Sequence, residues 1–168
     1  MTASLGSCVS DCPRLLVGFS GFLAAEGWHG MLQAHCAEWE IVGGGPYVVD
    51  VVSINLGPIR GEVWDVDQGW TRICPIGEGV VAIQSTGGAF IDSMTISCAP
   101  LLVSGSGGGL TLSVGPASDV APIGGSGGTP FNPIECSPGN LAVGLNLRSG
   151  FYIDMLQLVC DGFREPTH

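Results

Sequence analysis

The chain has 168 residues, a length that suits one domain, 1–168, able to bury a sizeable core. Its formal net charge is −10, with five arginines and no lysine, which argues against nucleic-acid partners and against an anionic membrane surface. No apolar run is long enough to span a bilayer as a helix, so no membrane insertion is expected.

Residues 1–11 are short and polar, with a turn signal at Gly6-Ser7. Cys12 to Cys36 then reads CPRLLVGFSGFLAAEGWHGMLQAHC. Residues 37–73 hold a strand signal at Tyr47–Ile54, a Gly57-Pro58 turn, and Trp64 and Trp70. Cys74 to Cys98 reads CPIGEGVVAIQSTGGAFIDSMTISC. Residues 99–135 hold the glycines 105 and 107–109, a strand signal at Leu110–Val114, and a Gly-rich run from Pro122 to Phe131. Cys136 to Cys160 reads CSPGNLAVGLNLRSGFYIDMLQLVC, and Asp161–His168 reads as a frayed tail.

The three Cys-bounded stretches are copies of one unit. Each pair of cysteines is 24 positions apart, and the copies begin 62 positions apart, at 12, 74 and 136. In the third copy Leu141, Val143, Leu145 and Leu147 alternate with polar or small residues, the period of a half-buried strand. A Gly-containing turn at Ser149–Tyr152 leads into a second apolar run with Leu156, Leu158 and Cys160 on one face. The second copy keeps Val81 and Ile83, then Met94, Ile96 and Cys98. Leu23–Gln33 imitates a helix, but its counterparts in the other copies are plainly β, and it is read as β with them.

In an antiparallel pair the start of one strand lies beside the end of the next. The repeat therefore selects Cys12–Cys36, Cys74–Cys98 and Cys136–Cys160 as disulfides. Cys8 is left over, as a buried thiol, an intermolecular link or a competitor for the first pair. The disulfides imply an oxidising, extracellular compartment, although no signal-peptide pattern precedes them; a mature or excised secreted domain reconciles the two. Three repeats of four strands predict an all-β protein: a β-prism of three Greek-key sheets with pseudo-threefold internal repeat.

Two loops share the pattern Gly-x-x-x-Asp: Gly88-Ala89-Phe90-Ile91-Asp92 and Gly150-Phe151-Tyr152-Ile153-Asp154. The pattern suits a monosaccharide. A carboxylate accepts charge-assisted hydrogen bonds from adjacent hydroxyls, and an aromatic such as Phe90, Phe151 or Tyr152 covers the apolar face of the ring. In the first copy the matching positions are Glu26 and Gly30, so no such site is expected there. The plainer reading is that Gly and Asp are ordinary turn residues. Trp28, Trp39, Trp64 and Trp70 read as packing residues. His29 and His35 lack a metal cage, and no zinc, calcium, phosphate-loop or Gly-x-Ser-x-Gly pattern is present; no cofactor and no catalysis are expected.

Gly127-Gly128-Thr129-Pro130-Phe131, Leu141–Leu145 and Gly150–Asp154 together resemble the closing section of jacalin-related lectins, a β-prism I family with a Gly-Gly loop and a Gly-x-x-x-Asp loop. Trp70, Cys74, Pro75, Gly77 and Cys98 instead resemble vitelline-membrane outer-layer proteins, which share the prism and carry cysteines. The first resemblance implies a non-catalytic, secreted carbohydrate-binding lectin. The second implies a structural matrix protein. By the lectin rule, Asp92 pairs with a loop containing Gly124, Gly125, Gly127 and Gly128, and Asp154 with the region of Gly6. An uncleaved Gly-Gly loop leans towards mannose or glucose over galactose as the glycan. Assembly as a homo-oligomer is left open.

Overall fold

A computed structural model of the chain describes residues 14–25, 27–43, 47–57, 59–61, 68–106, 109–150 and 152–162. Among the described residues every regular element is a β-strand. The first sheet is built on the hairpin of β1 (Arg14–Leu23) and β2 (His29–Val42). β3 (Val48–Leu56) and β4 (Arg60–Gly61) line up along β2, and β5 (Gln68–Ile73) returns beside β1. The spatial order β3-β2-β1-β5 is a Greek key.

The second sheet repeats this plan on β6 (Glu78–Gly87) and β7 (Ile91–Ser106). β8 (Gly109–Val114), β9 (Ser118–Asp119) and β10 (Ile123–Gly124) flank β7 in succession. β11 (Thr129–Pro130) and β12 (Ile134–Glu135) flank β6. The first two sheets therefore have five and seven strands, not four, because flanking positions are broken into short pieces, and the third has two strands among the described residues, so it does not complete the expected Greek key. Prolines at 116, 122 and 133, which cannot donate to a ladder, stand at three of those breaks. β13 (Asn140–Ser149) and β14 (Ile153–Gly162) form the third hairpin. Asp161 and Gly162 belong to β14, opposite Leu141 and Asn140, rather than to a tail.

The three hairpins share two irregularities, one beside the turn (Phe22/Leu23, Thr86/Gly87 and Arg148/Ser149) and one farther along the strands. At the second, the register slips between Leu16 and Gly18, between Val80 and Ala82, and between Ala142 and Gly144. Each slip is a bulge that leaves one valine (Val17, Val81 or Val143) unpaired and turns the strand. Val143 consequently departs from the alternation read in the sequence. Past the bulge, Phe19, Ile83, Leu145 and Leu147 point into one core shared with Met94, Ile96, Leu156 and Leu158. Before it, Leu15, Val17 and Leu141 fill a second, smaller cluster with Ala37, Val49 and Leu101. Full burial of an aliphatic or aromatic side chain stabilises by about 1.5–3 kcal/mol, so this common core supplies most of the driving force.

Cys74–Cys98 and Cys136–Cys160 are bonded as the repeat predicts. Their placement adds something the repeat did not reveal. Cys74 ends the run of β5, and its N–H donates to the Val17 carbonyl of the first sheet at 2.7 Å, while Cys98 lies in β7 of the second. Cys136 follows β12 in the second sheet, its N–H donating to the Val81 carbonyl at 2.8 Å, while Cys160 lies in β14 of the third. Each disulfide thus ties one sheet to the next. Cys36 is also disulfide-bonded; Cys12 and Cys8 lie outside the described residues.

Closing a loop of this length contributes about 3 kcal/mol. Replacing both Cys74 and Cys98 by Ala should lower the melting temperature by roughly 6–12 °C for a chain of this size. Thermal denaturation followed by circular dichroism checks this, and an unchanged midpoint would contradict the role of the bond as an inter-sheet tie.

Candidate functional site

The hairpin turns gather at one end of the prism. Gly88 N–H donates to Phe90 O and Gly150 N–H to Tyr152 O, both at 3.1 Å, so the second and third turns are closed alike. Leu23 faces His29, whereas Gly87 faces Ile91 and Ser149 faces Ile153. The first turn therefore spans 24–28 and is two residues longer than 88–90 or 150–152. On its outgoing side the match of Gly30 to Asp92 holds. Glu26 lies outside the described residues, as do Phe151 and Gly6.

Trp28, Phe90 and Tyr152 take the same place in the three turns, and their rings meet. The centroids of Trp28 and Phe90 are 5.3 Å apart, those of Trp28 and Tyr152 5.1 Å, and those of Phe90 and Tyr152 4.8 Å, all tilted or edge-on. All three are half-buried. Phe90 and Tyr152 thus pack on each other instead of each standing over its own loop, the arrangement expected of separate sugar platforms.

Asp92 sits at the second turn with the Gly-rich segment folded over it. β10 and β11 fix the two ends of that segment on opposite edges of the β6–β7 hairpin, so residues 125–128 must cross its tip. Gly125 N–H donates to Asp92 O at 2.8 Å, and Thr86 Oγ1 donates to Gly127 O at 2.9 Å while sharing a hydrogen bond of 2.7 Å with Ser93 Oγ. Gly124 has φ +119°, and a Cβ there would collide with Asp92 O. Gly128 has φ +78°, and a Cβ there would collide with Asp92 Oδ2 and the Gly87 backbone. Only glycine lets the loop lie this close to the carboxylate. Asp92 is half-buried, Gly124, Gly127 and Gly128 are exposed, and a Cβ on Gly88 would meet open space.

The other two turns differ. In the first, Gly61 (φ +90°) lies over Gly30 O as Gly124 lies over Asp92 O, but glycine replaces the acid, so the clasp holds no carboxylate. In the third, Asp154 Oδ1 accepts from Arg148 Nε at 2.9 Å, with the arginine 54% and the aspartate 28% exposed. Asp154 is therefore held by a cation, whereas among the described residues no ion pair or hydrogen bond holds the Asp92 carboxylate.

One polar residue beneath this site is not signalled by any motif. His29 is fully buried, and among the described residues neither ring nitrogen makes a hydrogen bond of good geometry, although the Ile123 backbone lies near enough to favour its charged form; its ring meets Trp70 edge-on at 5.3 Å, and Trp70 Nε1 also lacks a partner. Burial pushes its pKa down to about 4, opposed by the Ile123 backbone and the Asp92 charge. The counterparts of His29 are the buried Ile91 and Ile153, so comparing the copies would have found it. His35, bonded to Ser20 Oγ at 2.9 Å, is also pushed down by burial. Among the described residues no group of three His, Cys, Asp or Glu could hold a metal ion.

Solved structures share this fold, among them the following two. A prostate-specific WGA16 glycoprotein lectin (crystal form II) superposes with a TM-score of 0.56 at 14% identity, over 98% of this chain and 94% of its own. The agglutinin of Calystegia sepium superposes with a TM-score of 0.58 at 16% identity, over 97% of this chain and 91% of its own. No family model matches the chain, and no curated protein matches it in sequence. At these identities the likeness establishes the fold, an all-β prism, in agreement with the sequence reading.

Because the His29 pKa lies below its ordinary value of 6.5 in the folded state, the unfolded chain takes up the proton first. Stability should be full above pH 6.5, fall by about 3 kcal/mol as pH drops from 6.5 to 4, and level off below. Denaturant titrations at pH 7 and pH 4 should show a smaller loss in His29→Ile than in the wild type. Equal losses would contradict the assignment.

Proposed function

We propose that this protein is a secreted, non-catalytic lectin whose principal carbohydrate site is Asp92 under the loop of Gly124, Gly125, Gly127 and Gly128, with Gly88, Ala89, Phe90 and Ile91 as its opposite wall. One observation carries the reading: a half-exposed carboxylate with no partner of its own among the described residues, clasped by a loop whose glycines at 124 and 128 admit no side chain. That chemistry suits adjacent sugar hydroxyls, which donate to the carboxylate and accept from backbone N–H groups. The fold shared with a lectin and an agglutinin adds weight. The ligand class is a mannose- or glucose-type glycan. The turn Gly150–Asp154, with Phe151, Tyr152 and Ile153, is a secondary site, weaker because a ligand there must compete with Arg148 for Asp154. The tied sheets suit an extracellular protein.

Glycan-array binding followed by calorimetry with methyl α-mannoside tests the reading. Asp92→Ala should keep the fold and lose about 1.5–3 kcal/mol of binding, roughly tenfold to a hundredfold in affinity. Asp154→Ala should lose less. Unchanged glycan binding in the double variant would show that both loops are structural, and no binding to any glycan at high protein density would end the lectin reading.

A further inference from the structure

The second-repeat site leans on the first repeat. Gly27 O accepts from Gly125 N at 3.3 Å, so the 24–28 turn touches the Gly-rich loop directly. The next residues along that turn are Trp28, packed on Phe90, and His29, buried beneath. The matching positions in the other repeats hold isoleucine, which asks nothing of its surroundings. Here an imidazole whose two nitrogens make no hydrogen bond of good geometry among the described residues occupies the core position. Buried polar groups are normally well bonded, so a poorly bonded ring directly under the Gly-rich loop needs a reason.

We infer that His29 is a positioning residue for the Asp92 site: neutral, it packs as an apolar ring and keeps the 24–28 turn seated against Gly125; protonated, it draws on the Asp92 carboxylate and loosens the loop, so that ligand is released in acid. The inference rests on the proposed function of that site.

Among the described residues two groups favour a charge on His29, the Ile123 backbone and the Asp92 carboxylate. Leu23 on β1 faces His29, and Trp70 on β5 meets its ring. On the same β5 strand, Arg72 donates to Ala121 O and Thr71 O. On β13 and β14, Arg148 and Asp154 pair with each other, and Asp161 lies at the far end of β14, opposite Leu141. The remaining charged residues described on β2, Glu38 and Glu40, lie beyond Cys36, at the far end of the strand from His29. Asp92 on β7 is the carboxylate whose charge acts on the ring, and the Ile123 backbone at the base of the loop is the other favourable influence. Both belong to the clasp described above. A proton on His29 therefore competes with a sugar for the same carboxylate, and by reciprocity a bound sugar must oppose the proton by the same factor.

The test is a nuclear magnetic resonance titration of the His29 ring from about pH 7.5 down to about pH 2 in the full chain, which has three histidines. It is run free, with saturating methyl α-mannoside, and in Asp92→Asn. The sugar should lower the midpoint by about one unit, matching roughly tenfold weaker binding in acid. Asp92→Asn should also lower it, with or without sugar. In His29→Ile, affinity should fall less between pH 6.5 and 4 than in the wild type. A midpoint unmoved by sugar that demonstrably binds at pH 7.5, or unmoved in Asp92→Asn, overturns the inference. Absence of any sugar-induced shift at any pH instead overturns the mannose-type reading of the site, and the Asp92→Asn arm still decides the coupling.

Discussion

No single hairpin in this protein can cover its own apolar face; the fold depends on three of them burying those faces against one another. Each has one inward stripe, Phe19, Ile83 and Leu145 being representative, and the stripes meet in one core. A two-stranded ribbon alone is marginal in water. Convergence of three removes that weakness, and the disulfides follow from it. Placed between the flanking strand of one sheet and the hairpin of the next, Cys74–Cys98 and Cys136–Cys160 hold the sheets at the spacing the core requires.

The same convergence brings the turns together and leaves them to vary. A turn at the end of a rigid hairpin is positioned by the core but contributes little to it, so its side chains are free to serve a ligand. The three hairpins use that freedom differently. One keeps the backbone clasp and lacks the acid, at Gly30 and Gly61. One has acid and clasp, at Asp92 and Gly124–Gly128. One has the acid tied to Arg148. The aromatic cluster of Trp28, Phe90 and Tyr152 closes the end of the axis between them.

Much of this was legible from residue spacing. Cysteines recurring at one interval carry topology directly, because a disulfide needs neighbours. Asp92 and Gly124–Gly128, grouped by resemblance, lie against each other, and the glycines at 124 and 128 are needed where the loop meets the acid. What escaped the sequence was local and three-dimensional. Val143 looks like a member of the alternating run because a bulge changes phase without changing composition. The longer first turn is hidden because the two strands of that hairpin shift by different amounts against the repeat. Phe90 and Tyr152 look like independent platforms until the turns are seen to touch. The Arg148–Asp154 pair links residues six apart around a tight turn, and its consequence appears only by contrast with Asp92, whose carboxylate has no partner among the described residues. His29 belongs to no motif; its meaning lies in the isoleucines that replace it in the other copies.

A crystal soaked with methyl α-mannoside measures the central claim most directly. The account predicts electron density for one ring between Asp92 and the Gly124–Gly128 loop, with two hydroxyls within hydrogen-bond distance of the carboxylate, and weaker density at Asp154. A sugar bound elsewhere on the prism, with the Asp92 clasp empty, would contradict it.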